Sequence, residues 1–409
     1  MSSPGAVVSV VDAVRTPVGA RNGQLAGWHA ADLAAEVLDA LVRRTGVAPA
    51  VIDEVVVGCA SPVGDQGCNV ARNAVLAAGW PESVPATTVD AQGASSLRAV
   101  AVAADAIRAG SAEVVVAAGV EVSSTTPAGA WVTPTCRPFG PAVTARYAGA
   151  GGLVPPGVAA EALVERRGLH RHELDAWTDE SRCRARLAAG RAHTGSDGVV
   201  TIEGRAWDRE RRQVLPGERA MSDDELVVAA DPGDPSVCRP MFVPGGCITA
   251  ANSAAAADGA AAVLLVAEGR ASSMGLDTLA RVVASASGAV DPLTMLTGAV
   301  PASERALARA GLGVADVDRF EVDESFAAVT LDWMASLGVG AERVNVDGGA
   351  LARGLASGAA GAAMVVALVH GLAGTARRWG LAALGGVGGT GSAVVVEVGG
   401  PDPGRGGRP

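Results

Sequence analysis

Aromatic side chains are scarce in this chain: 3% of 409 residues, with a single tyrosine. A core of the size that 49% hydrophobic residues allow must therefore close with Val, Ala and Leu. The 54 glycines permit the close backbone approaches such packing needs. The six cysteines, Cys59, Cys68, Cys136, Cys183, Cys238 and Cys247, contain no CxxC pair. Their scatter argues against structural zinc, or any metal centre, and for a reduced cytoplasmic setting. No basic run offsets the formal charge of -10, which argues against a nucleic-acid partner. No apolar stretch is long enough to span a membrane. The first residues lack the basic region, apolar run and cleavage site of a secretory leader.

What is present is an alternation of apolar strands and small-residue helices. AVVSVVDAVRTP predicts a buried strand, and HAADLAAEVLDALVRRTG a helix stopped by Gly46. Strands follow in IDEVVVGCASP, VPATTVD and AEVVVAAGVEV, with helices in GCNVARNAVLAAG and ASSLRAVAVAADAIRAG. The pattern returns late in the chain. NSAAAADGAAAVLLVAE predicts a helix passing into a strand, and RWGLAALGGVGGTGSAVVVEVGG two strands around a glycine turn. This grammar predicts an internally duplicated α/β fold with a mostly parallel sheet. The glycine loops do not make a dinucleotide site, because neither stands between a strand and a helix with the G-x-G-x-x-G order.

Residues 122 to 240 break the alternation. They hold three of the five histidines and show little strand periodicity. The segment reads as an insertion: a lid or binding wall, or else an oligomer contact or surface decoration.

Taken together, VVDAVRTPVG, TVDAQGASS, AANSAAAADGAAAVLL, DESFA, GLASGAAG and GGVGGTG resemble, in order and spacing, the motifs of the thiolase family. The resemblance covers nearly the whole chain. It implies two βαβαβαββ domains stacked with buried helices at the centre, plus a loop domain. The boundaries it suggests are 1–121 with 241–270, 122–240 and 271–401, and a disordered tail at 402–409. It also implies CoA or an acyl-CoA as a ligand, with no tightly bound cofactor, and a homodimer or homotetramer.

A thiolase needs a thiolate nucleophile, a base, a second thiol for proton transfer and oxyanion holes. Carried over motif by motif, the nucleophile position is Gly93, the histidine position Leu355 and the second cysteine position Gly385. The asparagine that orients an oxyanion-hole water becomes Asp323, and the CoA-facing serine becomes Ala254. The joint loss of three ionisable groups implies loss of ordinary thiolase chemistry. Candidates for other roles are Asp90, Ser95, Asp323 and Glu324 beside the vacated positions, and Cys247, Ala251 and Ala254 along the CoA path. The serines also read as caps, and Cys59, Cys68 and Cys247 as packing residues. None of the five histidines falls in a matched catalytic loop, and Tyr147 lies outside those motifs too. Three functions follow: a degenerate thioester-binding protein or non-catalytic subunit, an acyltransferase or C–C lyase with different residues, and, disfavoured, an active acetyl-CoA acetyltransferase. An intact thiolase or a small thioester-binding protein is the matching partner.

Overall fold

In a computed structural model the described residues are 5–190, 198–208, 210–211, 213–229 and 233–399. The 402–409 tail and His193 lie outside them. The strands are β1 (Val8–Arg15), β2 (Gly19–Ala20), β3 (Glu54–Gly58), β4 (Ala86–Val89), β5 (Val114–Val122) and β6 (Ile202–Asp208). They continue with β7 (Gln213–Met221), β8 (Ala257–Ala267), β9 (Ala280–Ala289), β10 (Arg319–Val322), β11 (Trp379–Gly385) and β12 (Thr390–Val398).

One sheet runs in the order β10-β11-β12-β9-β1-β8-β5-β3-β4, with β2 beside β8. The duplication is visible in that order. The first half reads β4-β3-β5-β8-β1. The second reads β10-β11-β12-β9, and a single parallel bridge from Val344 to Phe320 stands where β4 stands in the first. The halves join where Val8–Val10 pair with Ala280–Val282.

The sheet is mixed, which corrects the mostly parallel expectation. Among the described residues, parallel ladders between strands are confined to β3–β4, β3–β5 and β10–β11. β8 runs antiparallel to both β5 and β1. Only helical crossovers force parallel neighbours; β8 arrives through the long insertion and β12 through a glycine turn, so both can run back.

Burial follows period two along the strands. On β8, Ala260, Ala262, Leu264 and Val266 face one core, while Ala261, Val263 and Leu265 face another. The first core is covered by the Ala30–Thr45 and Val70–Ala77 helices. The second is central, between the two halves, and holds the Ser95–Ala109 and Ser357–Leu372 helices. A third lies under the Ala299–Ala310 and Ala327–Leu337 helices. Small residues let the central helices touch: a β-carbon on Gly361 would lie 2.4 Å from the amide nitrogen of Leu97. The Ala362 amide donates to Ser96 Oγ at 3.0 Å.

The insertion carries the Pro156–Arg167 and Arg171–Ala189 helices. It also holds an antiparallel β6–β7 hairpin that its composition did not announce. Asp224 of the insertion ties both halves together. It accepts from Arg15 of the first half at 2.6 Å and pairs with Arg353 of the second at 3.2 Å. Burial works against its ionisation, but the two guanidinium groups outweigh it and hold the carboxyl below its ordinary value. All 33 basic residues of the chain are arginine. Among the described residues no helix is long and apolar enough to cross a membrane.

Candidate functional site

The turn after β4 is bent by Gln92, whose φ of 54° is unusual for a residue with a side chain. Gly93 follows, and the Ser95–Ala109 helix starts two residues later. The turn is held by its own side chains. Asp90 Oδ1 accepts the Gln92 amide at 2.8 Å, and Ser95 Oγ accepts the Ala91 amide at 2.9 Å. Asp90 is exposed, and neither it nor Ser95 lines the cavity described next. Both are turn-builders. Ser96 is spent on the neighbouring helix.

Gly93, Leu355 and Gly385 converge on one cavity of about 250 Å³, together with Asp323 and Ala254. The positions picked out from five separate stretches of sequence are therefore one place in space. Ser61, Ser123, Ser325 and Ser357 bring hydroxyls to it, and Trp131, Phe326 and Leu384 bring apolar surface. No cysteine, histidine or arginine lines it among the described residues.

The glycine loops lean into one another. A β-carbon on Gly93 would meet the Gly385 carbonyl oxygen, and one on Gly385 would lie 3.2 Å from Asp323 Oδ2. Asp323 is buried. Its Oδ2 accepts the Gly385 amide at 3.0 Å and its Oδ1 the Ser325 amide at 2.8 Å. Burial pushes its carboxyl up, against the opposing pull of those amides. A negative charge at this position is thus disfavoured by its own burial. Ser325 Oγ is buried without a well-formed hydrogen bond, though it lies close enough to the Asp323 carboxyl to favour that group's charged form.

Glu121, on β5, is the cavity residue that sequence reading assigned no role. Its Oε2 accepts the Ala60 amide at 2.9 Å and the Gly358 amide at 3.0 Å, and its Oε1 accepts Gln66 Nε2 at 2.8 Å. Burial pushes its carboxyl up as well. The signal was there: a lone carboxylate in an otherwise apolar strand.

Other candidates sit elsewhere. Glu324 is buried away from the cavity, accepting from Trp177 Nε1, Ser181 Oγ, Asn345 Nδ2 and the Leu351 amide. Cys247 packs half-buried against the third core, its amide bound to Glu161. Ala251 is buried, its carbonyl accepting from Arg182. Neither lines the cavity. Cys59 is buried as expected, whereas Cys68 is exposed at φ 51°, which corrects its reading as a packing residue. Tyr147 lies under Arg146, outside the cavity. His29 caps a helix, His370 bonds the Ala13 carbonyl, and His170 stacks on His172.

The helix expected over Asn252–Ala256 is absent. After a turn at Asn252 the chain is bridged to the other half: the Ala254 amide donates to the Ser325 carbonyl, and the Leu355 amide to the Ala255 carbonyl. Pairing across the halves overrides the helix preference of four consecutive alanines, and it brings Ala254 to the cavity.

Family models agree with this reading. Residues 8–269 match the thiolase N-terminal domain and residues 276–398 the thiolase C-terminal domain. The chain belongs to the thiolase family. It is 35% identical to a steroid 3-ketoacyl-CoA thiolase of Mycobacterium tuberculosis, over 96% of this chain and 95% of that one. It is also 35% identical to an acetyl-CoA acetyltransferase of Syntrophomonas wolfei, over 96% and 99%. The crystal structure of the Bacillus anthracis acetyl-CoA acetyltransferase superposes with a TM-score of 0.84 at 32% identity, covering 97% of this chain and all of that one. Within this thiolase fold, Gly93, Leu355 and Gly385 line one cavity.

Proposed function

We propose that this thiolase-family chain binds an acyl-CoA thioester in the cavity without forming a cysteine acyl-enzyme. One observation carries the reading: the three positions for nucleophile, base and second thiol meet in one cavity and hold Gly93, Leu355 and Gly385. Acyl transfer to the protein needs a nucleophile with a base in reach, and neither glycine nor leucine supplies one. What remains suits binding. Two helices begin at the cavity, and their N-termini favour the partial negative charge of a thioester oxygen. Serine hydroxyls add donors, and apolar walls accept an alkyl chain.

A second reading is turnover with other groups, an acyl transfer or C–C cleavage in which Asp323 moves the proton. The enzyme names of the relatives and the placement of Asp323 on the cavity wall favour it. A second copy of the chain, an intact thiolase or a small thioester-binding protein belongs to this proposal as partner.

Isothermal titration with CoA, acetyl-CoA and longer acyl-CoAs, followed by thiolysis and lyase assays, tests both. Selective acyl-CoA binding without thiolysis supports the proposal. Lyase turnover that Asp323→Ala abolishes supports the second reading. Robust thiolysis by the pure protein sinks the first, and the absence of any acyl-CoA binding sinks both.

A further inference from the structure

Leu355 stands between two spaces. It lines the cavity already described, and it lines a second, narrower one of about 80 Å³. Among the described residues no other is common to both. The second space runs along one stripe of the Ser357–Leu372 helix, where Ala359, Ala363 and Ala367 recur every four residues, with Met364 beside them. Its walls there are small and apolar. Arg15, Glu321 and Arg353 line it as well.

We propose that Leu355 is a partition that sets how long an acyl chain the cavity accepts. This rests on the thioester-binding reading above. The leucine backbone is pinned: its amide donates to Ala255 at 2.8 Å and its carbonyl accepts from Ala257 at 3.2 Å. It cannot swing aside with the loop, so the isobutyl group itself is the barrier. That group is apolar on both sides. It can end an alkyl chain in one space and cover the helix alanines in the other without leaving a polar group unpaired. The room behind it matches a few chain carbons, since about 80 Å³ holds roughly two or three groups the size of a water molecule.

The test is a binding series of saturated acyl-CoAs, from acetyl-CoA upward in even carbon numbers, against the wild-type protein, Leu355→Ala and Leu355→Val. In the wild type, affinity rises with length and then falls at the partition. Leu355→Ala moves that limit up by two or more carbons, with a gain of about fourfold for each carbon newly buried. Leu355→Val moves it less, in the same direction, and serves if the alanine variant does not fold. Adding Ala363→Met to Leu355→Ala fills the second space and cancels the gain. An unchanged length limit in both truncations, or a gain that survives Ala363→Met, overturns the partition and leaves the thioester-binding reading standing. Failure of the wild type to bind any acyl-CoA overturns both.

Discussion

The carbonyl oxygen of Gly385 lies 2.8 Å from the point a β-carbon on Gly93 would occupy. A side chain at Gly93 would thus run into backbone. Gly93→Cys has to displace the Gly385 turn, at a cost of about 1–3 kcal/mol for an overpacked site. It gains no thiolysis, because Leu355 cannot take the thiol proton. Denaturant melts and a thiolysis assay on this one variant check both statements; near-normal thiolysis would overturn them.

Glu324 anchors the insertion to the second half. Four donors converge on its carboxyl, two of them from the Arg171–Ala189 helix. Glu324→Ala leaves them buried and unmatched, a loss on the order of 3 kcal/mol or more. Thermal melting of the variant shows it. Wild-type stability would mean that the hub is replaceable by water.

Asp258 sets a pH dependence. Burial, helped by Glu225 and opposed by Ser124 and Ser123, pushes its carboxyl up from 3.8 to about 6. Between those values the unfolded chain has released this proton and the folded protein still holds it. Its contribution is therefore fully present below pH 3.8 and is lost as pH rises through about 6. The loss across that window is on the order of 3 kcal/mol, at about 1.4 kcal/mol for each tenfold change in proton activity. The buried carboxyls of Glu121 and Asp323 act in the same direction, so the difference between wild type and Asp258→Asn isolates this one. Parallel stability curves for the two proteins from pH 4 to 7 would refute it.

Ser325→Ala removes a buried hydroxyl that makes no well-formed hydrogen bond and stands beside the Asp323 carboxyl, which keeps its two backbone amides. Nothing is left unpaired by the change, so the free protein keeps its stability or gains up to about 1 kcal/mol. A clear drop in melting temperature would show that Ser325 Oγ does have a partner.

Much of the architecture was legible because it rests on local rules. Gly46 and Gly110 end their helices in the left-handed region, at φ 70° and 74°, where glycine fits most easily. The GGVGGTG stretch makes a tight turn between paired strands, as its glycines suggested. Strand direction was not legible, since β8 pairs with β5 only after more than a hundred intervening residues. The Asn252–Ala256 segment misled because alanine favours helix wherever no partner strand competes. At the site, the motif positions Gly93, Leu355, Gly385, Asp323 and Ala254 all line one cavity. Cys247 and Ala251 fell outside, because nearness along the chain does not fix which side of a loop faces the cavity. Glu121 was missed because its role comes from two loops remote in sequence, at Ala60 and Gly358.

The clamp of Arg15 and Arg353 on Asp224 belongs to a protein without a single lysine. Acyl thioesters are acylating agents, and the side-chain amine they modify is lysine's; acylation would erase its charge. A thioester bound as proposed would meet no such amine on this chain. Guanidinium groups stay protonated at any physiological pH. The ion pairs that join the insertion to both halves are therefore immune to the self-modification that such a ligand would otherwise bring.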